Sequence, residues 1–278
     1  MRSASDVRIF DIHHHVGALA GLLATSGDWF KADPAALQAD VDRRVGFMDR
    51  HGIDAALLMP GNGYPTARGI EDTRRVNDYV KRYREVAPAR FPAMVGTVNP
   101  LEGFEALGEI DRCIDGLGMQ GMVWHHRFLG TVLDHAMMEP FLERVRDHKV
   151  PAFIHIIADS KLEAPWRLER LADRHPDVTF VALDGFSSPD HAQWMPYLAS
   201  RHPNIVFDTG VMVSVGHLIE TFIAEVGAER LVLGTDYYSE PQLFSHPFPV
   251  AELLASDLDD AVVAEVLGGT ARRLLGLP

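Results

Sequence analysis

The chain has 278 residues, 47% of them hydrophobic, and its formal net charge at pH 7 is −13. That charge argues against nucleic acid and anionic membrane surfaces as partners, since both are bound by basic patches. The single cysteine, Cys113, excludes an intramolecular disulfide, and no apolar run approaches the ~20 residues that would span a bilayer. We therefore expect a soluble cytoplasmic protein that forms a single domain over residues 1–278.

Short, unbroken apolar runs recur along the chain and predict its strands. They lie at residues 7–12, 55–59, 91–98, 121–124, 151–157, 179–183, 205–208 and 231–234. Such runs are typical of parallel strands that are buried on both faces of a sheet. The segments between them carry apolar residues three and four positions apart, such as Met138, Leu142 and Val145. This spacing predicts helices that pack one face against the sheet.

Eight strands that alternate with helices predict an α/β fold, the (β/α)₈ TIM barrel, for which about 250 residues is a typical length. A doubly wound open sheet is the alternative architecture. The number of units, and the absence of a glycine-rich phosphate loop after the first strand, favour the barrel. The stretch Val16–Asp33 shows no clear period, and we predict that it forms a loop over the barrel mouth.

Histidines and aspartates follow several predicted strands, and the active sites of such barrels lie at the carboxyl ends of the strands. The first strand leads into the sequence FDIHHHVG. Alternation along a strand places His13 and His15 on one side and His14 on the other. His155 in the fifth strand and Asp236 after the eighth would complete a set of three nitrogens and a carboxylate. Such a set predicts a divalent metal ion, Zn²⁺, with Mn²⁺ or Fe²⁺ as alternatives.

Further polar residues at strand ends are candidates for contacts with a substrate. One of His125 and His126, after the fourth strand, is expected to face the cavity, and we take His125 as the substrate contact. Arg127 is predicted to bind a substrate carboxylate in a bidentate manner, with a surface salt bridge as the alternative. Tyr237 is predicted to line the pocket, with simple packing as the alternative. Asp208, at the end of the seventh strand, is predicted to orient its neighbours.

Three stretches carry a resemblance to a known family, namely DIHHH at strand one, PAFIH at strand five and LVLGTDYY at strand eight. In this order and on these strands they resemble the amidohydrolase superfamily, in particular the branch of aminocarboxymuconate semialdehyde decarboxylase and its hydrolase and hydratase relatives. The resemblance covers the chain from about residue 7 to the end. It implies a (β/α)₈ barrel with a mononuclear metal ion held by His13, His15, His155 and Asp236.

One position departs from the family pattern. Members of the family usually carry a histidine at the end of strand six, where it binds substrate or shuttles a proton, whereas this chain has Asp184 in the stretch LDGFSS. We predict that Asp184 points into the same cavity as Asp236 and acts in catalysis, either as a charge or as a protonated hydrogen-bond donor. The alternative is a carboxylate that caps the following turn.

The leading functional prediction is a metal-dependent hydrolase of a small organic acid, lactone or amide. Metal-activated water would attack the carbonyl group, and Asp236 would shuttle the proton. The alternative is a non-oxidative decarboxylase of an aromatic or unsaturated carboxylic acid, which the missing strand-six histidine disfavours. A catalytically silent barrel used for binding is the alternative from another class, and the near-complete ligand set argues against it. We also expect a small-molecule substrate and a homodimer.

Overall fold

A computed structural model of the protein describes residues 3–17, 33–61, 63–64, 66–212, 216–239, 242–243 and 245–278. The strands are β1 Ile9–Val16, β2 Ile53–Pro60, β3 Ala93–Met94, β4 Met122–Trp124, β5 Ala152–His155, β6 Phe180–Leu183, β7 Ile205–Asp208, β8 Leu231–Val232, β9 Tyr238–Ser239 and β10 Gln242–Leu243. The α-helices are α1 Pro34–His51, α2 Ile70–Val86, α3 Phe104–Asp111, α4 His126–Leu129, α5 Glu139–His148, α6 Pro165–Arg174, α7 Pro189–Ala192, α8 Trp194–Arg201, α9 Gly216–Val226, α10 Phe248–Ala255, α11 Asp260–Ala264 and α12 Thr270–Leu274.

The strands β1 to β8 form a parallel barrel. β1, β2 and β3 pair in that order, and β4 to β8 form a second run of neighbours. A parallel bridge between Gly96 and Met122 joins the two runs. The ring closes where the Ile12 amide donates to the Leu233 carbonyl at 2.9 Å. This is the predicted (β/α)₈ architecture.

The strand side chains divide between two apolar layers because successive residues point to opposite faces. The outer layer packs the strands against the helices. The inner layer fills the barrel and continues to Ala271 and Leu275 at the last helix. Its strand members are Phe10, Ile12, Ala55, Leu57, Met59, Ala93, Val95, Val123, Phe153, Val181, Leu183, Val206 and Val232. The polar cluster described below lies at the carboxyl ends of the same strands, where such barrels place their sites.

A β-bulge in β1 determines which histidines face the barrel interior. Ile12 lies in the inner layer, so strict alternation would send His14 inward as well. Between Asp11 and His14, however, the pairing of β1 with β2 shifts by one residue. The extra residue reverses the phase of the strand, so that His13 and His15 face the interior and His14 faces the helices.

Helix α1 has well-defined ends and brings one buried cation to the end of β1. Asp33 Oδ1 accepts from the Ala36 amide at 2.8 Å, and Pro34 is the first residue of the helix. The helix ends at Gly52, whose φ of 69° is left-handed and favours glycine. Between these ends, the fully buried Arg44 donates to the His15 carbonyl and thereby ties α1 to β1.

The observed bounds of two strands differ from the predicted ones. The first predicted strand stops at residue 12, whereas β1 continues to Val16 because its last residues pair with β2. β3 covers only Ala93–Met94 of the predicted run 91–98, since the following Gly96 makes a single bridge. Of the predicted loop Val16–Asp33, residues 18–32 lie outside the described part of the chain. Among the described helices, none has both the length and the apolar character that crossing a membrane requires.

Candidate metal centre

Three histidine rings meet at the carboxyl ends of β1 and β5. His13, His15 and His155 are each at most 1% exposed, and their ring centroids lie 4.8, 5.2 and 5.4 Å apart. The Nε2 atoms of His13 and His15 are 2.9 Å apart. Asp236, after β8, places Oδ1 at 3.3 Å from each of these two nitrogens. The structure therefore brings together the four residues predicted as metal ligands.

Hydrogen bonds determine which ring nitrogen each histidine presents to the centre. His15 Nδ1 donates to the Pro60 carbonyl at 2.7 Å, and His155 Nδ1 donates to the Trp124 carbonyl at 3.0 Å. Because a carbonyl only accepts, Nδ1 carries the hydrogen in both rings and Nε2 offers a lone pair. His155 Nε2 is buried without a hydrogen-bond partner among the described residues. This donor set fits a divalent cation such as Zn²⁺ or Mn²⁺.

A carboxylate holds the third histidine. Asp208, at the end of β7, accepts from His13 Nδ1 at 2.6 Å and from the Asp184 amide at 2.8 Å. A carboxylate on the far nitrogen of a metal-binding imidazole fixes the ring orientation and increases its basicity. This contact corresponds to the orienting role predicted for Asp208.

The three histidines differ in their affinity for protons. Burial lowers the pKa of His15 to about 4, and burial together with the neighbouring histidines lowers the pKa of His155 well below its usual range. Burial acts on His13 too, but the nearby carboxylates, with Asp208 the strongest, outweigh it and raise the pKa of His13 to about 10. At pH 7 His15 and His155 are therefore neutral, and a metal ion competes with a proton for His13.

Asp184 reaches the same centre from the end of β6. Its φ of 66° lies in the left-handed region, which aspartate tolerates better than most residues. Its Oδ1 lies 3.7 Å from His13 Nδ1, and ligand atoms of Asp184 and Asp236 lie within 4.8 Å of each other. Gly210 makes room for this approach, because a Cβ at that position would lie 2.7 Å from Asp184 Oδ1.

The side chain of Asp184 is only 3% exposed, and its Oδ1 has no hydrogen-bond partner among the described residues. Burial raises the pKa of Asp184 well above its usual range, and the charges of Asp236 and Asp208 add to this shift although His13 opposes it. The surrounding protein groups therefore favour the protonated form of Asp184. A bound cation would favour the ionised form instead.

A second histidine–carboxylate pair borders the metal centre. His125, after β4, stacks on His155 with ring centroids 4.2 Å apart and an interplanar angle of 10°. Its Nδ1 donates to Oε1 of Glu163, a fully buried residue in the loop before α6. The same oxygen accepts from the Arg127 amide at 2.9 Å, and Arg127 Nε lies 3.8 Å from Glu163 Oε2. The sequence did not indicate Glu163, because it lies in a connecting loop and not at a strand end.

A cavity opens beside His125 at the carboxyl ends of β2, β3 and β4. The cavity is small: about 20 Å³ is open to the centre of a water-sized sphere, and the 270 Å³ of empty space around it includes open solvent. Its lining is largely apolar and includes Tyr64, Thr97, Val123, His125, Phe128 and Leu129. Ligand sites are commonly lined in this way, by apolar side chains with a few polar groups among them.

His126 and His14 lie outside this centre. His126 is buried and its Nδ1 pairs with Thr131 Oγ1 at 2.8 Å. Of the two histidines after β4, His125 is therefore the one that borders the cavity. His14 Nδ1 donates to Asp11 Oδ2 at 2.9 Å, on the helix side of β1.

Tyr237 does not reach the cavity either, which corrects its predicted role as a substrate contact. It is fully buried between His14, at a ring distance of 4.8 Å, and Phe47 of α1, at 4.2 Å. Tyr237 faces outward because it pairs with the outward-facing His14 in a parallel bridge. Its neighbour Tyr238 is the residue that stacks on His15, with ring centroids 4.4 Å apart.

Comparison with known proteins gives the family. The sequence profile of the amidohydrolase family matches residues 10–277, and the chain belongs to this family. A γ-resorcylate decarboxylase from Polaromonas sp. strain JS666 is 30% identical over 128 residues, which are 41% of this chain and 38% of that enzyme. The match thus spans well under half of that relative.

Solved structures share the whole fold at low sequence identity. The 5-carboxyvanillate decarboxylase from Sphingomonas paucimobilis has a TM-score of 0.75 at 20% identity, over 98% of this chain and 100% of that one. A dihydroxybenzoic acid decarboxylase from Polaromonas sp. JS666, with bound manganese and the inhibitor 2-nitroresorcinol, has a TM-score of 0.71 at 18% identity, over 97% of each chain. The predictions of the family, of the barrel and of an enzyme are confirmed.

Proposed function

We propose that the protein is a metal-dependent, non-oxidative decarboxylase of aromatic carboxylic acids that carry a hydroxyl group beside the carboxylate. The observation that carries this proposal is the convergence of His13, His15, His155 and Asp236 beside a largely apolar cavity. The relatives are named for γ-resorcylate, 5-carboxyvanillate and dihydroxybenzoic acid; the first two carry a hydroxyl group next to a carboxylate. They favour the decarboxylase alternative over the hydrolase that is the leading prediction from the sequence.

We propose one divalent ion at the four converging residues. When bound, the ion supplies a positive charge that holds oxygen atoms of the acid and stabilises negative charge during the reaction. Three nitrogens and one carboxylate suit the predicted Zn²⁺, while the manganese in a structural relative supports Mn²⁺. Elemental analysis of the purified protein decides between the two. In a decarboxylase Asp236 is a ligand, and the proton shuttle predicted for it belongs to the hydrolytic alternative.

The protein's own groups would orient the acid. Val123, Phe128 and Leu129 offer apolar surface for the ring. His125 lies at the edge of this surface next to the metal centre, and Arg127, whose side chain is 27% exposed, follows it. We propose that these two residues bind polar groups of the substrate, as the sequence predicts. The predicted homodimer stays a prediction that light scattering tests.

Carbon dioxide release from a matched pair of acids tests the proposed function. The Mn²⁺-loaded protein should release carbon dioxide from 2,6-dihydroxybenzoate and not from 3,5-dihydroxybenzoate, because only the first carries hydroxyl groups beside its carboxylate. The metal-stripped protein is the control and should be inactive until Mn²⁺ is restored. A metal-loaded protein that cleaves lactones or amides and releases no carbon dioxide would contradict the proposal. A protein that binds no metal would instead support the silent barrel.

The substitution Asp184→Asn should lower turnover by about 100-fold or more, the lower end of the range of acid–base effects. The amide keeps the size of the side chain but removes both its charge and its proton. Metal content and melting temperature should stay at wild-type values, because Asp184 Oδ1 makes no hydrogen bond to the described residues. Steady-state kinetics with elemental analysis makes the measurement. Unchanged turnover would show that Asp184 only occupies the turn.

A further inference from the structure

A tyrosine at the wall of the cavity offers a hydrogen-bond acceptor to a substrate. Tyr64, in the loop after β2, is 8% exposed and lines the cavity together with Thr97. We propose that the Tyr64 hydroxyl accepts a hydrogen bond from a second hydroxyl group on the substrate ring, and that Tyr64 thereby selects dihydroxylated aromatic acids. The proposal rests on the proposed function, whose acids need only the hydroxyl group beside the carboxylate.

The direction of a hydrogen-bond chain makes the Tyr64 oxygen an acceptor. Thr73 Oγ1 lies 3.0 Å from both carboxylate oxygens of Glu102 and 3.3 Å from Tyr64 Oη. An ionised carboxylate only accepts, so the single hydrogen of the Thr73 hydroxyl goes to Glu102. Thr73 Oγ1 therefore accepts from Tyr64, and the hydrogen of the Tyr64 hydroxyl is used in this contact.

A second threonine beside the Tyr64 hydroxyl has no hydrogen to give it either. The side chain of Thr97 interacts with this hydroxyl, but Thr97 Oγ1 donates to the Val123 carbonyl at 2.8 Å. Neither threonine can therefore donate to Tyr64, whose oxygen keeps acceptor capacity for a ligand. A ligand that expels water from the cavity without donating to this oxygen loses a hydrogen bond.

The cavity lies next to the proposed metal ligands. His125 borders the cavity and stacks on His155 with ring centroids 4.2 Å apart. An acid whose carboxylate lies at the metal centre can therefore direct the remainder of its ring toward the cavity. A second hydroxyl group on that ring is the group that we assign to Tyr64.

The size and lining of the cavity favour a hydroxyl group over two other common ring substituents. The space of about 20 Å³ suits a group of the size of water, and a methoxy group is larger and has no hydrogen to donate. The lining residues that the structure describes include no lysine or arginine, the side chains that pair with a carboxylate. We therefore expect selection against methoxy and carboxylate groups at this position of the ring.

Equilibrium binding of nitro compounds tests the contact without requiring turnover. A nitro group resembles a carboxylate in shape but cannot leave as carbon dioxide. The reference ligand is 2-nitrophenol, and the test ligands are 2-nitroresorcinol, 4-nitroresorcinol, 3-nitrocatechol and nitrohydroquinone, which each add one hydroxyl group at a different ring position. Calorimetric titration of the Mn²⁺-loaded protein measures the Kd of each ligand.

The wild type should bind at least one of the dihydroxy ligands about 2- to 12-fold more tightly than 2-nitrophenol, the range that one hydrogen bond provides. Tyr64→Phe removes only the hydroxyl group and should abolish this advantage, while the Kd for 2-nitrophenol stays within about twofold. The matched control is Tyr197→Phe, which removes the hydroxyl group of an exposed tyrosine that contacts Glu169 at 3.2 Å. This control should match the wild type.

A fluorine analogue separates hydrogen-bond donation from size. Fluorine in place of the added hydroxyl group of the tightest ligand is no larger than that group but cannot donate a hydrogen bond. The fluorine analogue should bind the wild type no more tightly than 2-nitrophenol does. A methoxy group at the same position should bring no advantage either.

Three results would overturn the assignment to Tyr64. They are a dihydroxy ligand whose advantage persists in Tyr64→Phe, a fluorine analogue that binds as tightly as the hydroxyl compound, and a wild type that binds no dihydroxy ligand more tightly than 2-nitrophenol. The proposed function fails in a different way. A protein that shows the preference dependent on Tyr64 but releases no carbon dioxide from any dihydroxybenzoate would refute the decarboxylase and leave the Tyr64 contact standing.

Discussion

Replacing both His13 and His15 with alanine is expected to remove the bound metal ion and reduce carbon dioxide release to background. The double variant leaves His155 and Asp236 as the remaining ligands, and two ligands do not hold a divalent ion against water. Loss of a hydrogen-bond partner of a metal ligand already costs about 10- to 100-fold in metal affinity. Loss of two direct ligands should therefore cost more than that. Elemental analysis after gel filtration measures the metal content of the variant against about one ion per chain in the wild type.

His14, which lies between His13 and His15 in the sequence, provides the matched control. His14→Asn keeps a side-chain donor for Asp11, which now accepts from His14 Nδ1 at 2.9 Å. This variant should retain its metal ion and its activity. A double variant that binds as much metal as the wild type would show that the ion lies elsewhere. Loss of metal in the His14→Asn protein would show that the β-bulge does not separate the histidines as described.

Removing Arg44 is expected to have the largest effect on stability, because this buried cation joins three elements. Its Nε donates to Asp40 Oδ2 at 3.0 Å, a second nitrogen donates to Ser239 Oγ at 2.9 Å, and the third donates to the His15 carbonyl. Arg44→Met keeps the aliphatic stem and leaves these oxygens without their cation. Breaking a buried pair costs 3–5 kcal/mol, and the side chain of Asp40 is 21% exposed, so we expect a loss of about 3 kcal/mol.

The measurement is the free energy of unfolding in urea. Arg50→Met, in the same helix but exposed, is the control and should change stability by less than about 0.5 kcal/mol, as surface substitutions usually do. A loss below about 1 kcal/mol for Arg44→Met, the value of one ordinary hydrogen bond, would contradict the description of Arg44 as a buried cation that ties α1 to β1. Because Arg44 contacts the carbonyl of His15, the variant should also bind metal more weakly than the control.

Sequence reasoning predicted the barrel and four converging residues because these depend on local patterns. Unbroken apolar runs predict buried parallel strands, and the carboxyl ends of such strands meet at one end of a barrel. His13, His15, His155 and Asp236 all lie at such ends. The inward direction of His13 and His15 depends, however, on an extra residue in β1, and a bulge of this kind has no signal in the sequence alone.

The remaining site features depend on contacts between distant parts of the chain. Glu163 reaches His125 from a connecting loop, 38 positions away, and neither residue type nor spacing distinguishes it from other loop carboxylates. Tyr237 and Tyr238 are adjacent, and only the pairing with His14 shows that Tyr237 faces the helices. The strand-end position of Asp184 predicts that its side chain faces the centre. The sequence does not predict that Gly210 leaves the space that this side chain occupies.

One measurement distinguishes decarboxylation from hydrolysis at this metal centre. The Mn²⁺-loaded protein is incubated in oxygen-18 water with 2,6-dihydroxybenzoate labelled with carbon-13 in its carboxyl group, and products are followed by mass spectrometry. We expect labelled carbon dioxide together with resorcinol that contains no oxygen-18, and neither product after the metal is removed. Resorcinol that gains oxygen-18, or an acid that stays intact while the protein holds its metal and hydrolyses a lactone or amide, would contradict the account.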